Sequence, residues 1–400
     1  MSGSGTRSRS RVKEPSRHLA LPSASAAAKD RVHTGYDEDP KPAGSRPTRA
    51  ATMQDIADAL GVSQSTVSRV LTGSPMPVPI NPATRQRVVE MARQLHYRPN
   101  PLARGLRGAK TMLLGVIVRE ITDPFFAGAI DAISLEAGKR GYNVVLGHAH
   151  GRADEVIALR AVLETRHCDA IIIVGDTSDQ PRLLKDLNET DATVVGLWQG
   201  SAFLPGMPTV NVDNRSGVMD LIDHLIGLGH RSFGFIGGYF TFAGGRELGD
   251  INEREIAFVQ GLAERGIEVS PEYICDAQNN YAGGAASFAE LMALPRPPTA
   301  VMASTDVLAI GALRSAHRLG LQVPEAVSVV GFDDLPLAEH TSPPLTTVRQ
   351  PIAEMAASAV RAAIGDLPER GSDDSEPIIE CLKPMLVIRE SSGPARPRDD

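Results

Sequence analysis

Three polar residues in one short stretch of this chain, Gln64, Ser65 and Arg69, have the chemistry and spacing to read the base edges of DNA. Gln pairs with adenine through two hydrogen bonds, and Arg pairs with the O6 and N7 of guanine, each adding about 1–3 kcal/mol of discrimination. Hydroxyl side chains that suit contacts to phosphate flank them at Ser63, Thr66 and Ser68. These residue types indicate recognition of nucleic acid.

The apolar residues of the same stretch predict two short helices around a tight turn. Ile56 and Leu60 repeat at helical spacing, and Gly61 interrupts the pattern. Val67 and Leu71 resume it after a serine that can cap a second helix. In a helix-turn-helix the second helix lies in the major groove, and its N-terminal side chains face the bases. An ordinary helical hairpin is the alternative interpretation.

A loop and a third helix are predicted to follow. Four prolines between residues 72 and 82 indicate a loop, in which residues 76–78 resemble a small insertion. Asn81 is a candidate N-cap, and Pro82 suits the first position of a helix. This helix would supply the third wall of a small apolar core.

Two interpretations fit the short basic segment at residues 99–109. It is either a plain linker or a hinge helix that becomes ordered on DNA. In the second case Leu106 is inserted between base steps in the minor groove. Gly105 lowers the helix propensity by about 1 kcal/mol relative to Ala, which fits a segment that folds only when bound.

Charge is distributed unevenly along the chain. The whole sequence carries a net charge of -7, whereas residues 47–110 contain nine basic and three acidic residues and therefore carry +6. Release of counterions from DNA depends on local positive charge, so a basic head on an acidic body is typical of a phosphate-binding head.

The remaining composition gives no sign of a membrane segment, a metal or a cofactor. The three cysteines, Cys168, Cys275 and Cys381, are far apart, which indicates a reducing cytoplasm and offers no metal-ligand spacing. No apolar run approaches the roughly 18 residues of a membrane helix. The N-terminal residues lack the apolar segment of a secretory signal.

From residue 111 onward, strands and helices alternate. Apolar strands are predicted at residues 113–118, 143–146, 170–174, 193–197, 232–236, 300–303 and 327–332. Helices are predicted at residues 124–140, 153–165, 182–188, 216–228, 254–265, 285–293 and 307–319. Buried strands followed by helices indicate parallel sheets covered on both faces. A body of about 280 residues is long enough for two such lobes.

Six short motifs occur in order along the chain: Val62-Ser-Gln-Ser-Thr-Val-Ser-Arg-Val-Leu71, Leu102-Ala-Arg-Gly-Leu106, Asp123-Pro-Phe-Phe126, Leu228-Gly-His-Arg231, Val327-Ser-Val-Val-Gly-Phe-Asp-Asp334 and Pro344-Leu-Thr-Thr-Val348. Together they resemble the lactose-repressor/galactose-repressor (LacI/GalR) family of bacterial transcriptional regulators, over residues 52–389. The resemblance implies a homodimer or a tetramer that binds a near-palindromic operator in double-stranded DNA, usually as a repressor. It also implies a small-molecule effector, sugar-like in chemistry, that enters a cleft between two lobes and changes the operator affinity.

The expected fold is therefore α/β, with a small all-α helix-turn-helix head before a two-lobed body that resembles a periplasmic binding protein. The resemblance implies three crossovers between the lobes, near residues 210–214, near 349–351 and after 365. The expected segments are a disordered tail at 1–48, the head at 49–98, the hinge helix at 99–109, an effector-binding and dimerisation body of two discontinuous lobes at 110–390, and a disordered tail at 391–400.

The resemblance implies DNA contacts by Thr52, Ala103 and Arg104 as well. It also places effector contacts at seven positions: Phe125, Phe126, Trp198, Asp213, Arg254, Asn279 and Asp333. A carboxylate, a guanidinium and an aromatic face together suit a hydroxylated ligand, through charge-assisted hydrogen bonds and stacking. Several features depart from the family pattern, and two of them concern the effector positions. Leu197 stands where many sugar-responsive members carry an aspartate, and the loop at 239–253 is longer than usual.

Two other classes of protein remain as alternatives. An enzyme is disfavoured because the sequence lacks a nucleophile elbow, a phosphate-binding loop and a pair of histidines at metal spacing. A periplasmic solute-binding protein is disfavoured because such a protein needs a signal peptide and has no basic helical head. The sequence therefore predicts a regulator without catalytic residues.

Overall fold

A computed structural model describes residues 51–72, 80–97, 110–148, 168–175, 187, 192–198, 207–239, 249–365 and 379–396. The chain divides into two units, residues 1–98 and residues 99–400. Several predictions lie outside the described residues: the tail at 1–48, the insertion at 76–78, the hinge helix at 99–109 with Ala103, Arg104 and Leu106, the helix at 153–165 and most of the helix at 182–188.

The described part of the first unit contains three helices, α1 (Met53–Leu60), α2 (Gln64–Thr72) and α3 (Pro82–Gln94). Thr52 begins α1 through a capping box, in which its hydroxyl accepts from the backbone N–H of Asp55 and the Asp55 carboxylate accepts from the N–H of Thr52 at 2.7 Å. Gly61 ends α1 in the left-handed region, with φ of 64°. The predicted head helices are therefore confirmed.

The core of the head is made by one apolar face of each helix. Ile56 of α1, Val67 of α2 and Val88 of α3 are each fully buried in a single cluster. The N-cap predicted for α3 is confirmed, because the Asn81 side chain accepts from the N–H of Ala83 at 2.9 Å. Three short helices thus form one core and leave the outer face of α2 to solvent.

The first lobe of the second unit is built on a six-stranded parallel sheet. Its strands are β1 (Leu113–Val118), β2 (Asn143–His148), β3 (Ala170–Val174), β4 (Thr193–Leu197), β5 (Thr209–Val212) and β11 (Ile379–Leu382), in the order β11-β5-β4-β3-β1-β2. Helices α4 (Pro124–Lys139) and α9 (Ile352–Ala363) pack on this sheet through a shared apolar core. The continuous apolar runs of β1 and β3 are buried, as expected for a parallel sheet covered by helices.

The second lobe is built on a four-stranded parallel sheet. Its strands are β6 (Phe233–Tyr239), β7 (Ile274–Gln278), β8 (Ala300–Ala303) and β9 (Ser328–Val330), in the order β7-β6-β8-β9. Its helices are α5 (Asn214–Gly227), α6 (Asp250–Glu264), α7 (Tyr281–Met292) and α8 (Asp306–Arg318). A short antiparallel pair, β10 (Thr347–Arg349) and β12 (Met385–Val387), lies beside the third crossover.

The chain passes between the lobes at three places. It leaves the first sheet after β5 and enters α5 through Asp213. It returns between β10 and α9, through Gln350 and Pro351, and crosses a third time between β11 and β12. Each lobe is thus assembled from separated parts of the sequence, and the two-lobed fold with parallel sheets agrees with the expectation.

The C-terminal tail expected from residue 391 is wrong for residues 391–396. Ser391 is fully buried: its hydroxyl donates to the Val329 carbonyl at 2.5 Å and accepts from the N–H of Thr346 at 2.8 Å. The carbonyl of Gly393 accepts from the Ser328 hydroxyl at 3.2 Å. The polar residues that resembled a tail therefore satisfy buried backbone groups of the second lobe.

Helices α7 and α8 approach each other closely at two glycines. A Cβ atom at Gly284 would overlap the carbonyl oxygen of Leu308, and one at Gly311 would overlap the carbonyl oxygen of Tyr281. These atoms belong to the backbone and cannot rotate away. We expect Gly284→Ala to lower the free energy of unfolding by about 1–3 kcal/mol, because the two helices must separate.

The matched control is Gly128→Ala in α4, where an added Cβ would meet nothing within 4 Å. At this exposed helical position alanine should raise the free energy of unfolding by up to about 1 kcal/mol, since it has the higher helix propensity. Urea unfolding of the two variants measures both values. Equal effects at the two positions would contradict the close contact between α7 and α8.

Candidate functional site

The second unit contains a cavity of about 610 Å³, including its opening to solvent, between the two lobes. It lies where the parallel strands end: Arg119 follows β1, Trp198 follows β4, Asn279 follows β7 and Asp333 comes shortly after β9. Ligands of open parallel sheets bind at the carboxyl ends of strands, in the crevice where side chains from several strands meet. The cavity is therefore the candidate ligand site of the body.

Six of the seven predicted effector contacts line this cavity, namely Phe125, Phe126, Trp198, Arg254, Asn279 and Asp333. Asp213 is the exception, since it is not among the lining residues. Its carboxylate accepts from the N–H of Ser216 at 2.9 Å and so caps α5 at the first crossover. The structure assigns Asp213 to a helix terminus, where a carboxylate also favours the positive end of the helix dipole.

Aromatic rings form one wall of the cavity. Asp123 caps α4 by accepting from the N–H of Phe125 at 2.9 Å, which fixes the two phenylalanines at the start of this helix. The ring of Phe125 packs edge-on against Phe126, at 5.5 Å between centroids, and against Trp198, at 5.0 Å. This wall offers apolar surface to one face of a ligand ring.

Arg254 lies on the opposite side of the cavity and is almost completely buried. Its Nε donates to Asn214 Oδ1 at 2.9 Å, and its Nη1 donates to the Ser304 carbonyl at 2.7 Å and to Asp333 Oδ1 at 3.3 Å. The guanidinium carbon also lies 3.9 Å from the centroid of the Phe332 ring. Arg254 is thus held in one orientation by partners on several elements.

Burial raises the pKa of Asp333 well above its ordinary value, and the neighbouring Arg254 only partly opposes this effect. A second polar group supports the carboxylate, because Gln350 Nε2 donates to Asp333 Oδ1 at 2.8 Å. The same amide accepts from Trp198 Nε1 at 2.9 Å. Gln350 therefore joins the aromatic wall of the first lobe to the acidic side chain of the second.

A further polar link crosses the cavity. Asp123 Oδ2 of the first lobe accepts from Asn279 Nδ2 of the second lobe at 3.0 Å, and Thr305 donates to Asn279 Oδ1 at 2.7 Å. Burial is the main cause that raises the pKa of Asp123. The cavity therefore presents carboxylate, amide and hydroxyl groups opposite aromatic rings, which is the chemistry that binds hydroxylated molecules.

Four polar residues that line the cavity were not predicted as contacts: Arg119, Asp123, Asp250 and Thr305. Arg119 and Thr305 come just after predicted strands, so a search of strand ends would have found them. Asp123 begins the motif Asp123-Pro-Phe-Phe126, but the motif alone predicts no ligand contact for it. No sequence signal precedes Asp250, because the residues before it form no periodic pattern.

On the head, the exposed face of α2 carries the predicted base-reading residues. Gln64 and Ser65 are exposed and Arg69 is partly exposed, whereas Val67 and Val70 of the same helix are buried. This arrangement leaves polar side chains near the N-terminus of α2 available to a duplex.

The predicted phosphate-contacting hydroxyls lie around the start of these helices. Ser63 caps α2 by accepting from the N–H of Thr66 at 3.1 Å, and its hydroxyl lies 2.8 Å from those of Ser65 and Thr66. Thr52 caps α1, and Ser68 is partly exposed on α2. Of the ten predicted DNA contacts, Ala103, Arg104 and Leu106 lie outside the described residues.

Two kinds of feature, a membrane-spanning helix and a metal-binding cluster, are absent from the described ranges. No helix there has both the length and the apolar character to cross a membrane. No group of three or more His, Cys, Asp or Glu side chains there is arranged to hold a metal ion.

Comparison with known proteins gives two matching family models. The model of "Bacterial regulatory proteins, lacI family" matches residues 52–100, and that of "Periplasmic binding protein-like domain" matches residues 222–392. The HTH-type transcriptional repressor CytR of Escherichia coli (strain K12) is 34% identical over 347 residues, which cover 86% of this chain and 96% of CytR. The HTH-type transcriptional regulator CelR of Thermobifida fusca is 31% identical over 354 residues, with coverage of 86% and 98%.

Solved structures of transcriptional regulators superpose on this chain over most of its length. A transcriptional regulator CelR–cellobiose complex superposes with a TM-score of 0.59 and 27% identity, and the match covers 85% of this chain and 99% of that one. A lac repressor dimer bound to operator and the anti-inducer ONPF superposes with a TM-score of 0.72, covering 86% and 100%. Its identity of 22% shows a shared fold alone.

Proposed function

The chain belongs to the lacI family of bacterial regulatory proteins, and from this premise we propose how its two sites work. It is a DNA-binding transcriptional regulator whose operator affinity is controlled by a small-molecule effector. We propose that it is a homodimer that represses transcription from a near-palindromic operator in the cytoplasm, at the nucleoid. Gln64, Ser65 and Arg69 read bases, whereas the cavity of the body binds a sugar or a related polyhydroxylated molecule.

One observation carries the effector class: aromatic and hydrogen-bonding groups face each other across a single cavity. Phe125 and Trp198 offer ring surface, while Asp333, Asn279 and Asp123 offer oxygen and amide groups. A hydroxylated ring satisfies both sets at once, since its faces are apolar and its edges donate and accept. The solved relative with bound cellobiose supports the same class.

Effector control follows from contacts that already join the lobes across the cavity. Asp123 is linked to Asn279, and Trp198 is linked through Gln350 to Asp333. An effector competes for these groups or adds to them, and so favours one arrangement of the lobes over another. Thermodynamic reciprocity then requires the operator to change the effector affinity by the same factor.

The proposal is tested in two steps on the full chain. Selection from a random duplex library should yield a near-palindromic sequence whose retardation in gels weakens steeply with salt. A thermal-shift screen of sugars, sugar phosphates and nucleosides then identifies the effector, because a ligand at 100 times its Kd adds about 2.7 kcal/mol of stability. Failure to select any sequence, or tight operator binding by a chain that lacks residues 1–108, contradicts the proposal.

Base reading by Arg69 gives a specific prediction. Arg69→Ala should relax the preference for one base in each half-site and cost about 1–3 kcal/mol on the selected operator, because the bidentate contact to guanine is lost. Arg104→Ala should instead weaken all sequences alike, as expected for a contact to phosphate. Repeating the selection with both variants measures the difference. An unchanged base preference for Arg69→Ala would reject its assignment.

A further inference from the structure

The carboxylate of Asp169 holds the first residues of the body. It accepts from the backbone N–H of Thr111 at 2.7 Å, from the Thr111 hydroxyl at 2.7 Å and from the N–H of Met112 at 3.0 Å. Thr111 is only 4% exposed. We name this set of contacts the Asp169 clasp. Three hydrogen bonds therefore converge on one carboxylate, and hydrogen bonds to a charged group are stronger than those between neutral groups.

The clasp is part of a wider attachment of residues 111–113. The carbonyl of Leu113 accepts from the N–H of Asp169 at 2.8 Å, and the carbonyl of Met112 accepts from the N–H of Asn143 at 3.0 Å. Met112 has φ of 60°, which is uncommon for a side chain other than glycine and is held here by these contacts. The entering chain is therefore fixed to the residues that begin β2 and precede β3.

The position of the clasp separates it from the ligand cavity. It lies at the amino ends of the parallel strands, whereas the cavity lies at their carboxyl ends. The two are joined by β1, whose six residues run from the clasp to Arg119 in the cavity wall, a length of about 17 Å. The segment that leads to the DNA-binding head therefore enters the body at the other end of a strand that reaches the effector site.

We propose that Asp169 is a positioning residue for operator binding. The clasp fixes the conformation of Thr111 and Met112, through which the chain enters β1 after the DNA-binding unit. Without the clasp, residues 111 and 112 gain conformational freedom that DNA binding must remove, and the operator affinity falls. This inference rests on the proposed function, because it requires an operator.

The test compares Asp169→Asn and Thr111→Val with Thr111→Ser in the full chain, on the duplex that the wild type selects. Asparagine keeps the shape but replaces an acceptor oxygen with a donor, and valine keeps the shape of threonine without its hydroxyl. Each should raise the operator Kd about 5- to 20-fold, in the lower part of the usual range of coupling between sites. Thr111→Ser keeps the hydroxyl and should bind as the wild type does.

Three further readouts separate positioning from general loss of structure. The emission of Trp198, the only tryptophan of the chain, should be unchanged, because this residue lies at the cavity. The salt dependence of log Kd should keep its slope, since the phosphate contacts of the head are retained. The double variant Asp169→Asn/Thr111→Val should weaken binding by less than the sum of the two single effects, because both substitutions disturb the same clasp.

Asp131→Asn is the matched control, since Asp131 is an exposed carboxylate of the same lobe and should leave the Kd unchanged. Wild-type affinity in Asp169→Asn, or equal affinities of Thr111→Val and Thr111→Ser, would overturn the inference while the proposed function stands. If Asp169→Asn does not fold, the two Thr111 variants decide. Failure of the wild type to select any duplex contradicts the proposed function instead.

Discussion

Replacing Arg254 with methionine is expected to lower the free energy of unfolding by about 3–5 kcal/mol, the usual cost of leaving one partner of a buried ion pair alone. The side chains of Arg254 and Asp333 are only 4% and 5% exposed, so the pair is largely shielded from water. Asn214 and the carbonyl of Ser304 also lose a charged donor. The loss should be visible as a lower midpoint in urea with an unchanged slope.

The deficit of Arg254→Met should also depend on pH. The folded pKa of Asp333 lies well above the 3.8 of an exposed aspartate, and removal of Arg254 takes away the charge that opposes this shift. A raised carboxyl pKa costs stability as pH rises above the unfolded value, and this loss stops at the folded pKa, which is higher in the variant; the deficit should therefore be smallest at low pH and grow once pH passes the folded pKa of the wild type. Adding Asp333→Asn should restore part of the loss at pH 7.

Arg215→Met is the control for Arg254→Met. Arg215 also pairs with a carboxylate, that of Glu264 at 2.7 Å, but the two side chains are 49% and 54% exposed. Exposed pairs contribute only about 0–1 kcal/mol, so this variant should unfold near the wild-type midpoint. If both variants lost a similar free energy of unfolding, burial of the Arg254–Asp333 pair would not explain its contribution to stability.

The side chains that line the cavity were predictable where a simple rule applied. Asp333 follows a buried strand, and Arg119 and Thr305 occupy the same kind of position, so the rule that ligands bind at strand ends covers all three. Trp198 was assigned only from the family resemblance. Asp213 also follows a strand, yet it caps a helix. The prediction failed there because residue type and position alone do not distinguish a ligand contact from an N-cap.

Fold prediction succeeded where burial leaves a continuous apolar run. The strands at Leu113–Val118, Ala170–Val174, Thr193–Leu197 and Ala300–Ala303 have the predicted bounds. The strand at Ile274–Gln278 was missed because it is the edge of its sheet and carries exposed polar residues, which interrupt the run.

Local sequence was also too weak a guide near the C-terminus. The helix at Ile352–Ala363 is rich in alanine, so few large apolar residues reveal its period. Residues 391–396 have no apolar run, yet Ser391 and Gly393 are buried, because they bond to Thr346 and Ser328, which lie 45 and 65 residues earlier. Long-range partners of this kind are invisible to any pattern read over a short window.

Asp306→Asn is expected to change how stability depends on pH. Asp306 is completely buried, and burial raises its pKa from 3.8 to about 6, although hydrogen bonds from Thr347 at 2.5 Å and from the N–H of Leu335 at 2.8 Å oppose this shift. The nearby charge of Asp334 raises the pKa further, and that of Arg389 lowers it. The folded state therefore binds a proton more tightly than the unfolded state does.

The sign of the effect follows from this difference. Between about pH 4 and 6 the folded protein holds the proton of Asp306 while the unfolded chain has lost it, so the free energy of unfolding falls as pH rises, by up to about 3 kcal/mol. Asparagine does not titrate, and its amide can still accept from Leu335 and pair with Thr347. The stability of Asp306→Asn relative to the wild type should therefore increase across this window.

Urea unfolding at a series of pH values measures this difference, and Asp223→Asn provides the opposite case. Asp223 lies on the surface, and its contact with Arg265 lowers its pKa, so any stability that it contributes is lost as pH falls below about 4.

Thr305, which begins the helix of Asp306, lines the cavity. A difference between Asp306→Asn and the wild type that stays constant from pH 4 to 7 would mean that this carboxyl group does not hold its proton, and that the start of α8 carries a full negative charge beside the effector site.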